Sequence, residues 1–222
     1  MSIKAVIFDL DGTILDTEKL LVKYWCQAAN SLGFPMERSH ALKIRSLTHR
    51  LTEPLFKEWF GEDCNYLEIR ALRMKLMQEH IDSYGLDVKP GAEELLRWLG
   101  KNGYKRAVAT ATDIERAGKL LKTAGLYDCF DDIISASMVE WGKPKPDVYI
   151  YAAEQLKLSP CECIAVEDSP NGIISASDAG CRTIMVPDLT EPEEDIKPRL
   201  FACCKSLTDI IGILEQENCR IK

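Results

Sequence analysis

No run in this 222-residue chain stays apolar for the roughly 18 residues that a membrane-crossing helix needs. Ala5-Val6-Ile7-Phe8 ends at Asp9, short of the roughly 7–15 apolar residues of a secretory leader. A cytoplasmic location is therefore expected. Positive charge is also scarce. Lys and Arg number 28 against 35 Asp and Glu, a formal net charge of −7. That balance argues against the basic face by which nucleic-acid binders release phosphate counterions. It equally disfavours an anionic membrane surface, so neither partner is expected. Cys-x-x-Cys does not occur, and the nine cysteines are odd in number. Reduced, structural thiols are expected rather than a disulfide framework or a zinc site. The phosphate loop Gly-x-x-x-x-Gly-Lys-[Ser/Thr] is missing, because Ser137 stands where its first Gly would be. Histidine is limited to His40, His49 and His80, all within 17–87, so a Ser-His-Asp triad on the strands is not expected. Each is read as a surface helix residue, with His49 the one worth testing as a ligand contact.

What is present has an α/β rhythm. Short apolar, β-branched runs at 3–8, 107–109, 133–134, 164–166 and 183–186 lack alternation, as parallel strands buried on both faces do. Helical stretches separate them at 93–101, 114–124, 146–156 and 171–179, several ending at Gly, with a last helix at 207–215. Such βαβ units imply a parallel sheet with helices on both faces. Residues 17–87 break the rhythm, with helices at 17–32, 36–46, 48–60 and 65–84 and no convincing strand. In the last of these, Leu67, Ala71, Met74, Met77 and Ile81 keep helical spacing and are expected to form its apolar face. The fold expected is an α/β core at 1–16 and 88–222 carrying an all-helical cap at 17–87. Hinges are expected near Leu15-Asp16 and Val88-Pro90.

The sharpest chemical signal is Asp9-Leu10-Asp11-Gly12-Thr13 directly after a buried strand. Alternation aims both carboxylates one way. Their mutual repulsion would be relieved by a divalent cation. A turn motif explains one Asp-Gly but not the Asp two residues earlier. An EF-hand fails because the Gly falls at position 4, not 6. Thr110 ends another strand, Glu167-Asp168-Ser169 follows a third, and Lys143 precedes a helix. Ligands of open α/β sheets bind at the carboxyl ends of strands. Singly, Thr110 and Asp168 could be helix caps and Lys143 a solvated loop cation. Together they suit phosphoryl transfer: carboxylates for Mg²⁺, a cation and a hydroxyl for anionic oxygens, a carboxylate nucleophile and an acid/base neighbour. Lys143→Ala is expected to end activity and to raise thermal stability where it changes it.

Asp9-x-Asp11-Gly12-Thr13, Thr110, Lys143-Pro144 and Glu167-Asp168-Ser169 resemble, in order and spacing, the four motifs of the haloacid dehalogenase superfamily. The segments 142–147 and 167–172 resemble its subgroup of beta-phosphoglucomutase and sugar-phosphate phosphatases. The resemblance implies a Rossmann-like core with a helical cap after the first strand. It implies Asp9 as nucleophile and Asp11 as general acid/base. Asp9, the Asp11 carbonyl and Asp168 would hold Mg²⁺ with Glu167 in support, and Thr110 and Lys143 the phosphoryl oxygens. Mutases of this kind carry a cap His where this chain has Leu21, and they tend to have Val where it has Thr13. The retained Asp11 disfavours dehalogenation.

The expected activity is therefore a Mg²⁺-dependent phosphatase of a small phosphorylated metabolite, a sugar or polyol phosphate, working through an aspartyl phosphate. The alternatives are a phosphomutase, a non-enzymatic phospho-acceptor domain and a catalytically silent relative. Glu18, Arg45, His49 and Arg50 in the insert, with Ala111 and Thr112 beside Thr110, are the expected substrate contacts. Trp141, next to Gly142, could wall the site. A monomer is expected, with a dimer as the alternative.

Overall fold

The computed structural model describes residues 2–219. Their strands are β1 (Ala5–Phe8), β2 (Lys105–Thr110), β3 (Asp132–Ser135), β4 (Cys163–Glu167), β5 (Arg182–Met185) and β6 (Ala202–Cys203). They form one six-stranded sheet in the order β3-β2-β1-β4-β5-β6, with every neighbouring pair parallel. Helices α1 (Glu18–Ser31), α2 (Arg38–Lys43), α3 (His49–Phe60) and α4 (Tyr66–Tyr84) come between β1 and β2, followed by α5 (Ala92–Lys101). Then α6 (Ile114–Thr123), α7 (Asp147–Gln155), α8 (Pro170–Asp178) and α9 (Asp209–Cys219) alternate with the strands.

Strand alternation sorts the core into two layers. Ala5, Ile7, Ala107, Ala109 and Ala165 face α7 and α8, where Tyr149 fills the space their small side chains leave. Val6, Phe8, Val108, Ile164 and Val166 face the leucines of α5 and α6 and Ile210 and Leu214 of α9. Each such large side chain, fully removed from water, contributes about 1.5–3 kcal/mol. The helices cover both faces, as the buried apolar strands predict.

The insert has its own apolar cluster. Trp25 of α1 lies 5.4 Å from Phe56 of α3 and 5.9 Å from Tyr66 of α4, ring centre to ring centre. Val22, Ala28, Met36 and Ile69 close around them. The two chain segments that join it to the sheet run side by side. Leu15 pairs with Val88, Asp16 N–H donates to the Asp87 carbonyl at 2.9 Å, and Lys89 N–H donates to the Ile14 carbonyl at 2.9 Å. These are the segments expected as hinges.

Three expectations need correction. The buried face of α4 is Tyr66, Ile69, Arg73, Met77 and Ile81, whereas Leu67 is 60% exposed and Ala71 is exposed. The true stripe carries an arginine, which an apolar pattern passes over. The short edge strand β6 was not expected, because two residues carry no periodicity. The helix expected at 36–46 spans only Arg38–Lys43. Cys26, Cys64, Cys129, Cys163, Cys181, Cys203 and Cys204 are free thiols. Among the described residues no helix is long and apolar enough to cross a membrane.

Candidate active site

The sheet order sets β2, β1 and β4 side by side and pointing the same way. Phe8 pairs with both Val108 and Val166, so Asp9 emerges level with the ends of its two neighbours. Thr110 closes β2, Glu167 closes β4, and Asp168 follows it. Lys143 arrives from the loop between β3 and α7. Four distant segments thus meet at one sheet edge.

Burial makes this meeting electrostatic. Lys143 is fully buried and donates to Asp9 Oδ1 and, at 2.6 Å, to Glu167 Oε1. The Tyr149 hydroxyl donates to the same Glu167 oxygen at 2.6 Å. Desolvation pushes the Asp9 carboxyl well above the usual range, and Lys143 pulls against that rise. Burial also works against the Lys143 charge, but Asp9 and Glu167 outweigh it and hold the ammonium above its ordinary value. Burial raises Asp168 too, opposed by Arg45, which donates to Asp168 Oδ2 and, at 2.9 Å, to its carbonyl. Arg45 Nε also stands 3.5 Å from Glu18.

Asp9, Glu167 and Asp168 can each offer an oxygen within 4.8 Å of the others. Asp168 Oδ1 is buried and accepts no hydrogen bond. A buried, unsatisfied carboxylate oxygen is costly, and a hard divalent cation would satisfy it. The donor set, all carboxylate oxygen, fits such an ion. The backbone is shaped to this cluster at two glycines. Gly12 has φ +84°, and a Cβ there would stand 2.4 Å from Asp168 Oδ2. A Cβ at Gly172 would stand 2.0 Å from the Glu167 carboxylate, which cannot move without leaving Lys143. Gly172→Ala is expected to lower stability by about 1–3 kcal/mol through overpacking. Thermal unfolding should show a Tm several degrees lower, and an unchanged Tm would mean that Glu167 has room to shift.

Asp11 is held differently. Its Oδ1 accepts from Thr17 at 2.6 Å and its Oδ2 from Thr112 at 2.7 Å. Thr17 precedes α1 and Thr112 follows β2, so this carboxylate ties the insert to the sheet.

A family model of haloacid dehalogenase-like hydrolases matches residues 3–180. The chain belongs to the haloacid dehalogenase-like hydrolases. Among relatives of this hydrolase, hexitol phosphatase A of Escherichia coli is 34% identical over 194 residues, 84% of each chain. A phosphorylated carbohydrates phosphatase of Thermotoga maritima is 31% identical over 215 residues, 96% of this chain and 99% of its own. The crystal structure of beta-phosphoglucomutase from Clostridium difficile superposes with a TM-score of 0.83 over 99% of both chains, at 24% identity. That likeness concerns the fold.

The α6 cap is Asp113, which accepts from Glu115 N–H at 3.1 Å, and the α8 cap is Ser169, which accepts from Gly172 N–H at 3.1 Å. Neither Thr110 nor Asp168 serves as a helix cap. Lys143 is not a solvated loop cation. Asp9, Asp11, Glu18, Arg45, His49, Thr110, Ala111 and Thr112 line one cavity of about 100 Å³. Arg50 lies apart, its guanidinium 3.9 Å from the centre of the Trp141 ring, and both line an adjoining cavity. Lys143, Glu167 and Asp168 lie buried beneath Asp9. The three arginines of the lining were missed in the sequence: Arg70 and Arg73 on α4, and Arg116 on α6. The available signal was Arg73 itself, a charge at the spacing of Ile69, Met77 and Ile81.

Proposed function

We propose that this hydrolase releases phosphate from a small phosphomonoester, a sugar or polyol phosphate, by passing the phosphoryl group through Asp9. One observation carries the reading: a buried strand-end carboxylate touching a buried ammonium, with a second carboxylate two residues on held by two hydroxyls. The phosphatases among its relatives point the same way. Asp9 attacks phosphorus as the bond to the alcohol oxygen breaks, and Asp11 gives that oxygen its proton. To do so Asp11 must release one of its two threonine partners. Water then gives a proton to Asp11 as its oxygen attacks the aspartyl phosphate, and Asp9 departs as the carboxylate. Lys143 and Thr110 hold the phosphoryl oxygens. Bound at Asp9, Asp168 and the Asp11 carbonyl, with Glu167 in support, Mg²⁺ would neutralise charge on the phosphoryl group. Leu21, in the cavity wall, has no proton to exchange, which favours hydrolysis over return of the phosphoryl group to a sugar hydroxyl.

The test is phosphate release from sugar, polyol, nucleotide and acid phosphates, with Mg²⁺ and with chelator. Metal-dependent release is expected. Isomerisation of a sugar phosphate without release would replace hydrolysis by mutase chemistry.

Proton linkage gives a second check. A cation must bind the ionised forms of Asp9 and Asp168, whose pKa values burial raises. Raised carboxylates hold protons in the native state that the metal has to displace. The gain in Tm on adding Mg²⁺ is therefore expected to be larger at pH 8 than at pH 5.5. An equal gain at both would show that these carboxylates are already ionised at the lower pH.

A further inference from the structure

Asp9 and Asp11 account for one end of the cavity. The same cavity carries three guanidiniums. Arg70 and Arg73 come from α4 of the insert and Arg116 from the first turn of α6 in the sheet domain, and all three line the cavity that Asp9 and Asp11 open into. Among the described residues no carboxylate oxygen stands within the 4.0 Å of an ion pair from any of them. Arg73 is 91% buried by its 9% exposure, yet its Nε has no hydrogen-bond partner, and the same holds for the buried Nη2 of Arg116. Arg73 lies over the Trp25 ring at 4.6 Å, which packs its flat face but leaves its N–H edge unused. Arg70 and Arg116 are half-buried beside the buried Arg73; buried donors left unused are costly, and a protein with a net charge of −7 has many carboxylates that could have been set against them.

The geometry points to a substrate whose leaving group carries a second anionic group, held by Arg70, Arg73 and Arg116 while Asp9 takes the phosphoryl group. This rests on the phosphatase reading above and names the class of phosphomonoester. Three features carry it. The cluster is on the leaving-group side, because Arg73 and Arg116 feel the charge of Asp11, the proton donor to that group, whereas the buried Lys143 faces Asp9. Its donors are planar guanidiniums with free N–H groups, which match phosphate or carboxylate oxygens in pairs. It spans insert and sheet domain, so an anion bridging α4 and α6 would also draw the cavity closed. The three cations repel one another: burial first, then Arg116 and Arg70, lower the Arg73 pKa to about 10, against a smaller pull from Tyr66 and Asp11. Room for the carbon skeleton is at hand, since Arg70, His49 and Ala111 also line the adjoining cavity of about 480 Å³. Asp113 lines both cavities, but its carboxylate is engaged in capping α6.

Two substrate pairs test this. Fructose 1,6-bisphosphate against fructose 6-phosphate probes a second phosphate, and 6-phosphogluconate against glucose 6-phosphate probes a carboxylate. In at least one pair the member with two anionic groups is expected to have kcat/KM higher by about tenfold or more. Arg116→Gln and Arg70→Gln should bring that ratio towards one, mainly through KM, and Arg116→Lys should restore part of it. A merely structural role would lower both members of a pair alike. A calorimetric arm needs no turnover: Asp9→Asn protein should bind the favoured probe with two anionic groups about tenfold tighter than its partner with one, and adding Arg116→Gln should remove the difference. If nothing is hydrolysed, the phosphatase reading fails while the calorimetric arm still decides the anion site. Ratios near one in both pairs, with equal binding by Asp9→Asn, overturn the proposal.

Discussion

Asp9→Asn is expected to fold normally and to release no phosphate, with turnover lower by at least about 10⁴-fold, as when a covalent nucleophile is removed. An amide oxygen is too poor a nucleophile to open the phosphoester. It also cannot leave from phosphorus as a carboxylate does. Stability should change little, for a reason visible in the site. The Asp9 carboxylate is buried and its ionisation is opposed chiefly by desolvation. A neutral isostere removes that cost, while Lys143 keeps its bond to Glu167. The net change should stay within about 1 kcal/mol, the ordinary value of a hydrogen bond. Phosphate release and a melting curve, both on the same preparation with Mg²⁺, check the two halves. A second readout is hydroxylamine capture of the acyl phosphate, expected at Asp9 in the unmodified protein and absent in the variant. Residual turnover above a tenth of the original would move the nucleophile to another residue.

How much of this was legible in the sequence follows from what each feature depends on. The strands were legible because burial on both faces forces apolar, β-branched residues, and β1, β2, β4 and β5 all show them. The insert was legible because 17–87 holds no strand-like run, and Gly33 and Gly61, both at positive φ, punctuate its helices. The core of the site was legible because a parallel sheet carries every strand end to one edge, so Asp9, Thr110 and Glu167 had to meet. The arginine cluster was not. It depends on how α4 lies against α6, and no local pattern encodes that packing. The role of Arg45 was hidden for the same reason. The sequence offers it as a substrate contact, and in the fold it lines the cavity while also donating to Asp168 across 123 positions of chain. The apolar face of α4 was misread because Arg73 occupies a core position, where pattern reading assumes a hydrocarbon.

Lys143→Ala is expected to be the most destabilising single change at the site, lowering stability by about 3–5 kcal/mol, as removal of one partner from a buried ion pair does. For a chain of this length that corresponds to a fall in Tm of roughly 6–20 °C. The sequence alone suggested the opposite sign, with loss of activity and, where stability changed, a rise. In the structure it is fully buried and is the ammonium between Asp9 and Glu167. Its removal leaves both carboxylates facing each other without water. The pH dependence gives the mechanism a signature. A carboxyl whose pKa is raised on folding adds stability at low pH, and that contribution is lost as pH rises through the folded value. Lys143 is the main force opposing the rise at Asp9. Without it the rise is larger, so the Tm gap between the variant and the unmodified protein should widen from pH 5 to pH 8 in chelator. Mg²⁺ should narrow the gap, since a divalent cation supplies the missing positive charge. A variant as stable as the unmodified protein at pH 8 would mean that burying the ammonium costs as much as its two partners return. In that case Lys143 serves phosphoryl binding alone.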